Sequence, residues 1–383
     1  MYERMIKITS SGIRGHAHNC AQQAFSIIQN DQVGHHKSQQ DLLITNRQKH
    51  SRKRKMLPRI QAILILVLLI LSRSASWTST WRSQFHKRSS FALSAEGFSK
   101  KTSSFIPNES GNPIYSQPAL YDLAFGYRDF EEEVEFLWQR HVDVTGQQPE
   151  RTLEVAAGPA RHSLTALMAH DDVLKTAYCV DNSNAMLHYA TDIAEHELSI
   201  DEQKKFHYRV ADMRNFSISE SVDTAWILLG SLQHMTTNND VRQCLNSIND
   251  CLVPGGTLVI ELPHPRETFS MVECTRNGWK VPLEDGEGEG AGELSIIWGD
   301  DDDLFDPITQ VRQFTVRMTL QGTEDDKIVT EVVPMRLFTT QEVEALATAS
   351  NFRVASLHGA LEEGVEANDE DAAYRLVVVM QKS

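Results

Sequence analysis

The sequence predicts an α/β protein built around a nucleotide-binding sheet, and three observations carry that expectation. Arg151–Ser163, RTLEVAAGPARHS, passes from a short apolar strand through a loop of small residues into a helical stretch. Such a loop lets backbone approach a ligand and enter the helix without Cβ clashes. A second apolar strand, Ala177 to Val180, ends in an acid, Asp181, about 20 residues past the loop's glycine, where such an acid can accept ribose hydroxyls. Apolar strands then alternate with amphipathic stretches as far as Leu262, the pattern of successive βα units.

Length and charge divide the chain before any element is placed. Its 383 residues suffice for one large domain with extensions or for two domains. The net charge is −15. Residues 1–110 hold 17 Lys/Arg against 5 Asp/Glu, leaving 20 against 47 for the rest. An acidic body repels phosphate backbones, so no nucleic-acid partner is expected. The five cysteines show no paired metal-ligand spacing and read as buried free thiols, and no metal site is expected.

Residues 1–55 form a polar, basic leader ending in the run Arg47 to Lys55. Residues 56–105 open on the unbroken apolar run Ala62 to Leu71, the length of a signal-peptide core and short for a bilayer span. Small residues, Ser72 to Ser76, precede Trp77, and a Ser-, Arg- and Lys-rich stretch follows. This combination resembles the two-part plastid leaders of algae with complex plastids. It implies a plastid destination, with Met56 as an alternative start. Secretion and a signal anchor are the competing readings. Once the leader is removed no stable membrane association is expected. Asn215-Phe216-Ser217 is a glycosylation sequon and leans against the secretory lumen.

The body spans residues 112–383. Phe130 to Arg140 reads as an amphipathic helix with Phe130, Val134, Leu137 and Trp138 on one face. Tyr115, Tyr121 and Tyr127 precede it; they either pack that helix or form an aromatic lid over a cationic centre. Tyr121 and Tyr127 suit the lid better than Tyr115. After the 151–163 unit and Asp181 comes a third strand, Phe206 to Val210, followed by Asp212 and Met213. A fourth, Asp223 to Leu229, runs into Gly230-Ser231-Leu232-Gln233-His234. A helix over Asn239 to Cys251, a turn over Leu252 to Gly256 and a fifth strand over Thr257 to Leu262 follow.

The set LEVAAGPARH, CVDNSNAML, VADMRNF, AWILLGSLQHM and LVPGGTLVIEL resembles the successive motifs of class I S-adenosylmethionine (SAM)-dependent methyltransferases. The resemblance implies a Rossmann-like, mainly parallel seven-stranded sheet whose last strand is antiparallel. It places Glu154, Ala156 and Gly158 around the methionine moiety of SAM, Asp181 on the ribose, and Asp212 with Met213 at the adenine. Tyr121, Asn182 and Leu229 complete the expected cofactor set. Ala156 and Ala160 stand where dinucleotide loops carry glycine, and a ligand without phosphates tolerates that.

From Pro263 the chain leaves this minimal fold, and residues 264–336 read as an inserted β subdomain or lid. Ser295 to Trp298, Gln310 to Leu320 and Ile328 to Arg336 alternate like antiparallel strands. Glu284 to Glu293 and Gly299 to Asp303 read as solvated acidic loops. Leu337 to Thr340 start a last helix, and Phe352 to Leu357 with Tyr374 to Gln381 form a final antiparallel pair. The insert resembles that of methyltransferases acting on small amines and amino sugars, which implies a small-molecule acceptor. Methyl transfer is an in-line displacement that chiefly needs alignment and exclusion of water. His234, Tyr127 and Arg336 are the candidate catalytic residues, with Glu261 a further candidate base. A buried histidine satisfied by the core is an equal reading of His234. A SAM-binding protein without catalysis, a methyltransferase with a protein acceptor and a dinucleotide oxidoreductase are the alternatives, and a homodimer is allowed.

Overall fold

The architecture is that of a computed structural model, which describes residues 113–268, 277–283, 292–322 and 326–383. The leader readings, Cys20, Cys274 and most of the acidic stretch 284–293 lie outside the described residues. Among the described residues, no helix is long and apolar enough to cross a membrane.

Two helices come first. α1, Pro118–Phe125, has proline in its first turn, where the missing N–H costs nothing. α2, Phe130–Thr145, starts at Asp129, whose carboxylate accepts from Glu132 N, and stops at Gly146 in the left-handed region. It extends beyond the expected Arg140 because Val142 and Val144 continue its apolar face. His141 within it is buried and meets Thr257 Oγ1 through Nδ1 at 2.8 Å.

The main sheet has the order β11-β12-β5-β4-β1-β2-β3. Its strands are β1 Arg151–Val155, β2 Thr176–Asp181, β3 Phe206–Val210, β4 Val222–Ile227, β5 Leu252–Pro263, β11 Phe352–His358 and β12 Arg375–Lys382. β3-β2-β1-β4-β5 pair in parallel, while β12 runs antiparallel to both β5 and β11. The seven-stranded α/β sheet with an antiparallel last strand is therefore present. β1, β2, β4 and β12 are buried almost throughout, as strands covered on both faces must be. Trp226 at the centre is wholly buried. Residues Leu252 to Gly256, expected as a turn, instead form the first part of β5, entering beside Val222 with a register shift.

Helices α3 Arg161–Ala169, α4 Asn184–Glu197, α5 Asn238–Cys251 and α6 Thr340–Thr348 link the strands. Ser183, Thr237 and Thr339 cap α4, α5 and α6 through their side chains. Cys179, Cys244 and Cys251 are buried and free.

A second, antiparallel sheet has the order β10-β9-β7-β6, with β8 added on β9. It comprises β6 Asn277–Pro282, β7 Glu293–Trp298, β8 Phe305–Asp306, β9 Val311–Gln321 and β10 Lys327–Arg336. β6 and β8 were not expected, because NGWKVP carries Gly and Pro and FD is too short to show alternation. The aspartate run is also not simply solvated. The Asp303 side chain is 2% exposed and its carboxylate accepts from Thr315 N and Asp300 N, fastening the loop to β9. Leu120 and Ala124 of α1 and Ile114 pack with the inner residues of this sheet in one apolar cluster.

Candidate functional site

The carboxyl ends of β1, β2 and β4 meet the segment 113–128, and the site is built there. Three residues of the loop after β1 hold positive φ: Ala156 at 56°, Gly158 at 51° and Ala160 at 58°. An L-residue in that region costs roughly 1–2 kcal/mol, so the surroundings must hold the loop's shape. They do so by Ala157 N donating to Val180 O, Gly158 N to Asp181 Oδ2 at 2.9 Å, and Tyr208 OH to Gly158 O at 2.7 Å. A Cβ on Gly158 would meet only the Tyr121 ring, at 3.9 Å. Bare backbone thus faces an aromatic side chain.

Asp181 ends β2 and also accepts from Ser183 N at 2.9 Å. Burial raises its pKa, and the backbone N–H groups of Gly158, Ser183 and Asn182 oppose that rise. A carboxylate has about four acceptor positions, so capacity remains for a ligand's hydroxyl. Asn182 stands exposed beside it. Tyr115 lies close by: its carbonyl accepts from Ser183 Oγ at 3.3 Å and its ring meets Tyr121 at 5.7 Å. Its hydroxyl is 3.1 Å from His234 Nε2. Burial lowers the His234 pKa to about 4, so the ring is neutral near pH 7. The structure therefore brings Gly158, Asp181, Tyr121 and His234 together. It also promotes Tyr115, the least favoured of the three tyrosines, to the contact with His234.

Leu229 follows β4 at a φ of 55°, and its N–H donates to Glu261 Oε2 at 2.8 Å. The 3-10 turn Ser231–His234 follows directly. Tyr127 is 63% exposed at the rim, edge-on to Trp279 at 6.3 Å. An aromatic chain links the site to the second sheet, from Tyr121 through Phe125 at 4.7 Å to Trp279 at 5.6 Å.

Several expected site residues have protein partners of their own. The Glu154 carboxylate holds the helix behind the loop: Oε2 accepts from Ser163 N at 3.0 Å and Ser163 Oγ at 2.6 Å. Asp212 accepts from its neighbour Arg214, which also reaches Asp240, so an adenine would compete with a guanidinium for it. Met213 packs partly into the core beside it. Arg336 is buried against Glu342, Asn238 and Gln310, and its carbonyl accepts from Gln233 Nε2 at 3.1 Å. It braces the turn that carries His234 and is not placed as a catalytic group. Glu261 cannot serve as a base: burial would raise its pKa, but Arg128 and Arg375 outweigh that and hold it at about 2.

Reading the sequence missed the charged side chains beneath the site. Arg128 donates to both oxygens of Glu261 and through Nε to Glu133. Glu133 Oε2 meets His162 Nε2 at 2.7 Å, and His162 Nδ1 lies 3.6 Å from Glu154. Burial would lower the His162 pKa, yet its carboxylate partners raise it to about 9. Arg161 clamps Asp122 of α1, which also accepts from Tyr189 OH at 2.9 Å. The available signal was a lone Arg128 ahead of the acidic run FEEEVE. Among the described residues no group of His, Cys, Asp or Glu could hold a metal ion.

Residues 152–256 match a family model described as a methyltransferase domain. No curated protein matches the sequence significantly. Among solved structures, the chain is similar to an S-adenosylmethionine-dependent methyltransferase from Clostridium acetobutylicum, with a TM-score of 0.55 at 15% identity, covering 69% of this chain and 97% of that one. DesVI of Streptomyces venezuelae gives a TM-score of 0.53 at 17% identity over 69% and 98% of the two chains. The sugar N-methyltransferase KedS8 from a Streptoalloteichus species gives 0.52 at 20% identity over 68% and 92%. At these identities the likeness is one of fold.

Proposed function

For a chain whose residues 152–256 match a methyltransferase-domain model, we propose SAM-dependent transfer of a methyl group to the amine nitrogen of a small molecule. The observation that carries this reading is the convergence of two pairs, Gly158–Asp181 and Tyr115–His234, on the Tyr121 side chain.

The residues suit a sulfonium donor. The remaining acceptor capacity of Asp181 suits a ribose hydroxyl. Gly158 presents backbone that a side chain would cover. The Tyr121 and Tyr115 rings offer faces to a cation. When bound, SAM supplies an electrophilic methyl group on that cation. The chain's own contribution is to align, to exclude water and to receive a proton.

The choice of nitrogen follows from His234. With a pKa of about 4 it is neutral but a weak base. A neutral amine attacks without first losing a proton and sheds one after transfer, so a weak base suffices, whereas an alcohol must be deprotonated as it attacks and needs a far stronger one. Tyr115 keeps its proton, because burial raises its pKa well above the ordinary value; its hydroxyl oxygen can accept from Nε2–H, which orients the imidazole and leaves Nδ1 as the acceptor. The second sheet and its aromatic chain offer the wall against which an acceptor would lie. DesVI and KedS8 are similar to this chain in fold, and KedS8 is named a sugar N-methyltransferase.

The test is a transfer assay. The full chain is incubated with methyl-labelled SAM and matched pairs of small amines and alcohols, and separately with a cell extract fractionated by size. Label in amines and in the small-molecule fraction is expected. Label confined to macromolecules would overturn the acceptor class, and equal labelling of the alcohols would overturn the choice of atom. The two-part leader is a separate proposal, tested by fusing residues 56–110 to a fluorescent protein; signal only in the secretory lumen would remove it.

A further inference from the structure

We infer that Glu261 is a positioning residue that sets both sides of the site at once, holding the Leu229–Gly230 turn that leads to His234 and, through Arg128, the aromatic segment opposite. The inference rests on the methyl-transfer reading of the same site.

Glu261 is 1% exposed at the end of β5. Its carboxylate accepts from Leu229 N at 2.8 Å, Arg128 Nη2 at 3.0 Å, Arg128 Nη1 at 3.2 Å and Arg375 Nε at 3.1 Å. About four acceptor positions exist on a carboxylate, so this one is saturated and has none to offer a substrate. Two arginines and a glutamate are a poor way to stabilise a core, because desolvation offsets most of their attraction. What such a cluster secures is geometry, and its four bonds go to three different parts of the site.

The first part is the turn after β4. Leu229 and Gly230 have φ of 55° and 72°, and Gly230 N donates to the Glu261 carbonyl at 3.2 Å. Both amides of the turn are thus tied to one residue. A Cβ on Gly230 would stand 2.8 Å from Gln233 Oε1, so the turn is tightly confined. It runs straight into Ser231–His234, which ends at the contact with Tyr115. The second part is the join of α1 and α2. Arg128 precedes the Asp129 cap of α2, and the preceding helix α1 carries Tyr121. The third is the start of β12, through Arg375. A leucine held at positive φ without this anchor would relax toward ordinary backbone, and the imidazole would move with it.

The experiment follows the His234 ring in the folded full chain. Histidine labelled at Cε1 gives one resonance per ring, and the His234 signal is assigned by its loss in His234→Gln. Its titration is compared between the native chain and Glu261→Gln, and S-adenosylhomocysteine is titrated calorimetrically into both. In Glu261→Gln the His234 midpoint is expected to rise by about one pH unit or more as the ring gains water. S-adenosylhomocysteine affinity should also weaken about threefold or more, because the Arg128 fork that holds the Tyr121 segment is lost with the charge. A folded Glu261→Gln with an unchanged His234 midpoint overturns the inference, since a purely structural ion pair would lower stability and leave the ring where it was. Failure of the native chain to bind S-adenosylhomocysteine would count against the methyl-transfer reading, and the His234 comparison would still decide the inference. If Glu261→Gln does not fold, Arg128→Lys decides. It keeps the bond to Leu229 and loses the fork, so the expected result is an unchanged His234 midpoint with affinity weakened about threefold or more. A shifted midpoint with unchanged affinity, or no change in either, overturns it.

Discussion

Ala156 and Ala160 occupy backbone conformations that favour glycine, and the loop keeps its shape because Val180, Asp181 and Tyr208 hold the residues between them. Asp181 is the residue where loop and ligand site meet. Asp181→Ala removes the acceptor of Gly158 N together with the proposed contact to the ribose. It should weaken S-adenosylhomocysteine binding by roughly 1.5–3 kcal/mol in calorimetry, and an unchanged affinity would remove Asp181 from the site. The sequence made this residue readable because strand, loop and acid sit at a fixed separation along the chain. Glu154 and Asp212 stand at strand ends just as regularly, but their internal partners could not be read from the sequence. Their carboxylates are claimed by Ser163 and Arg214, and a claim of that kind depends on side-chain direction and not on spacing. His234 was legible as a residue after the fourth strand. Its partner Tyr115, 119 positions earlier, was not, since only the fold brings the two together.

At the scale of elements, α1 is the piece the sequence hid. Eight residues are too few for a helical period to show, and its tyrosines read as packing for the next helix or as an aromatic lid. Its apolar side packs with the second sheet, and Trp279 Nε1 donates to Ala124 O at 2.8 Å. Its polar side is held to the main sheet's helices by Asp122, through Arg161 of α3 and Tyr189 of α4. Arg161→Ala should therefore loosen α1 while β1–β5 stay intact. The expected cost is about 2 kcal/mol, below that of a fully buried pair because the Arg161 side chain is 24% exposed. Hydrogen exchange would report it as faster exchange confined to residues 118–125, and uniform acceleration across the main sheet would contradict it. The parallel strands were legible because burial on both faces makes them apolar throughout. The second sheet was legible only where a strand was long enough to alternate, which β9 and β10 are and β6 and β8 are not.

For the molecule as a whole, three histidines set opposing pH limits on stability. His141 and His234 are held neutral with pKa values of about 4, by burial in each case, so between about 4 and 6.5 the unfolded chain binds protons that the native chain refuses. Their contribution is present above pH 6.5 and lost as pH falls toward 4. His162 is the reverse: its pKa of about 9 leaves the native chain holding a proton that the unfolded chain releases above 6.5. Its contribution is present below 6.5 and lost as pH rises through 9. Thermal melts should therefore show stability falling from near-neutral pH in both directions. His162→Gln should flatten the alkaline arm and leave the acid arm in place; loss of both arms together would assign the effect elsewhere.

The reversed direction of β12 has a practical consequence. Arg375, at its start, pairs with Pro263 and reaches Glu261, whereas Gln381 near its end pairs with Thr257, and Lys382 Nζ donates to Leu252 O at 2.8 Å. One strand thus crosses from the ligand edge of the sheet to the edge behind it and delivers Ser383 there. An affinity handle or surface tether fused after Ser383 would leave the crevice facing outward, so immobilised protein should keep the ligand affinity it has in solution.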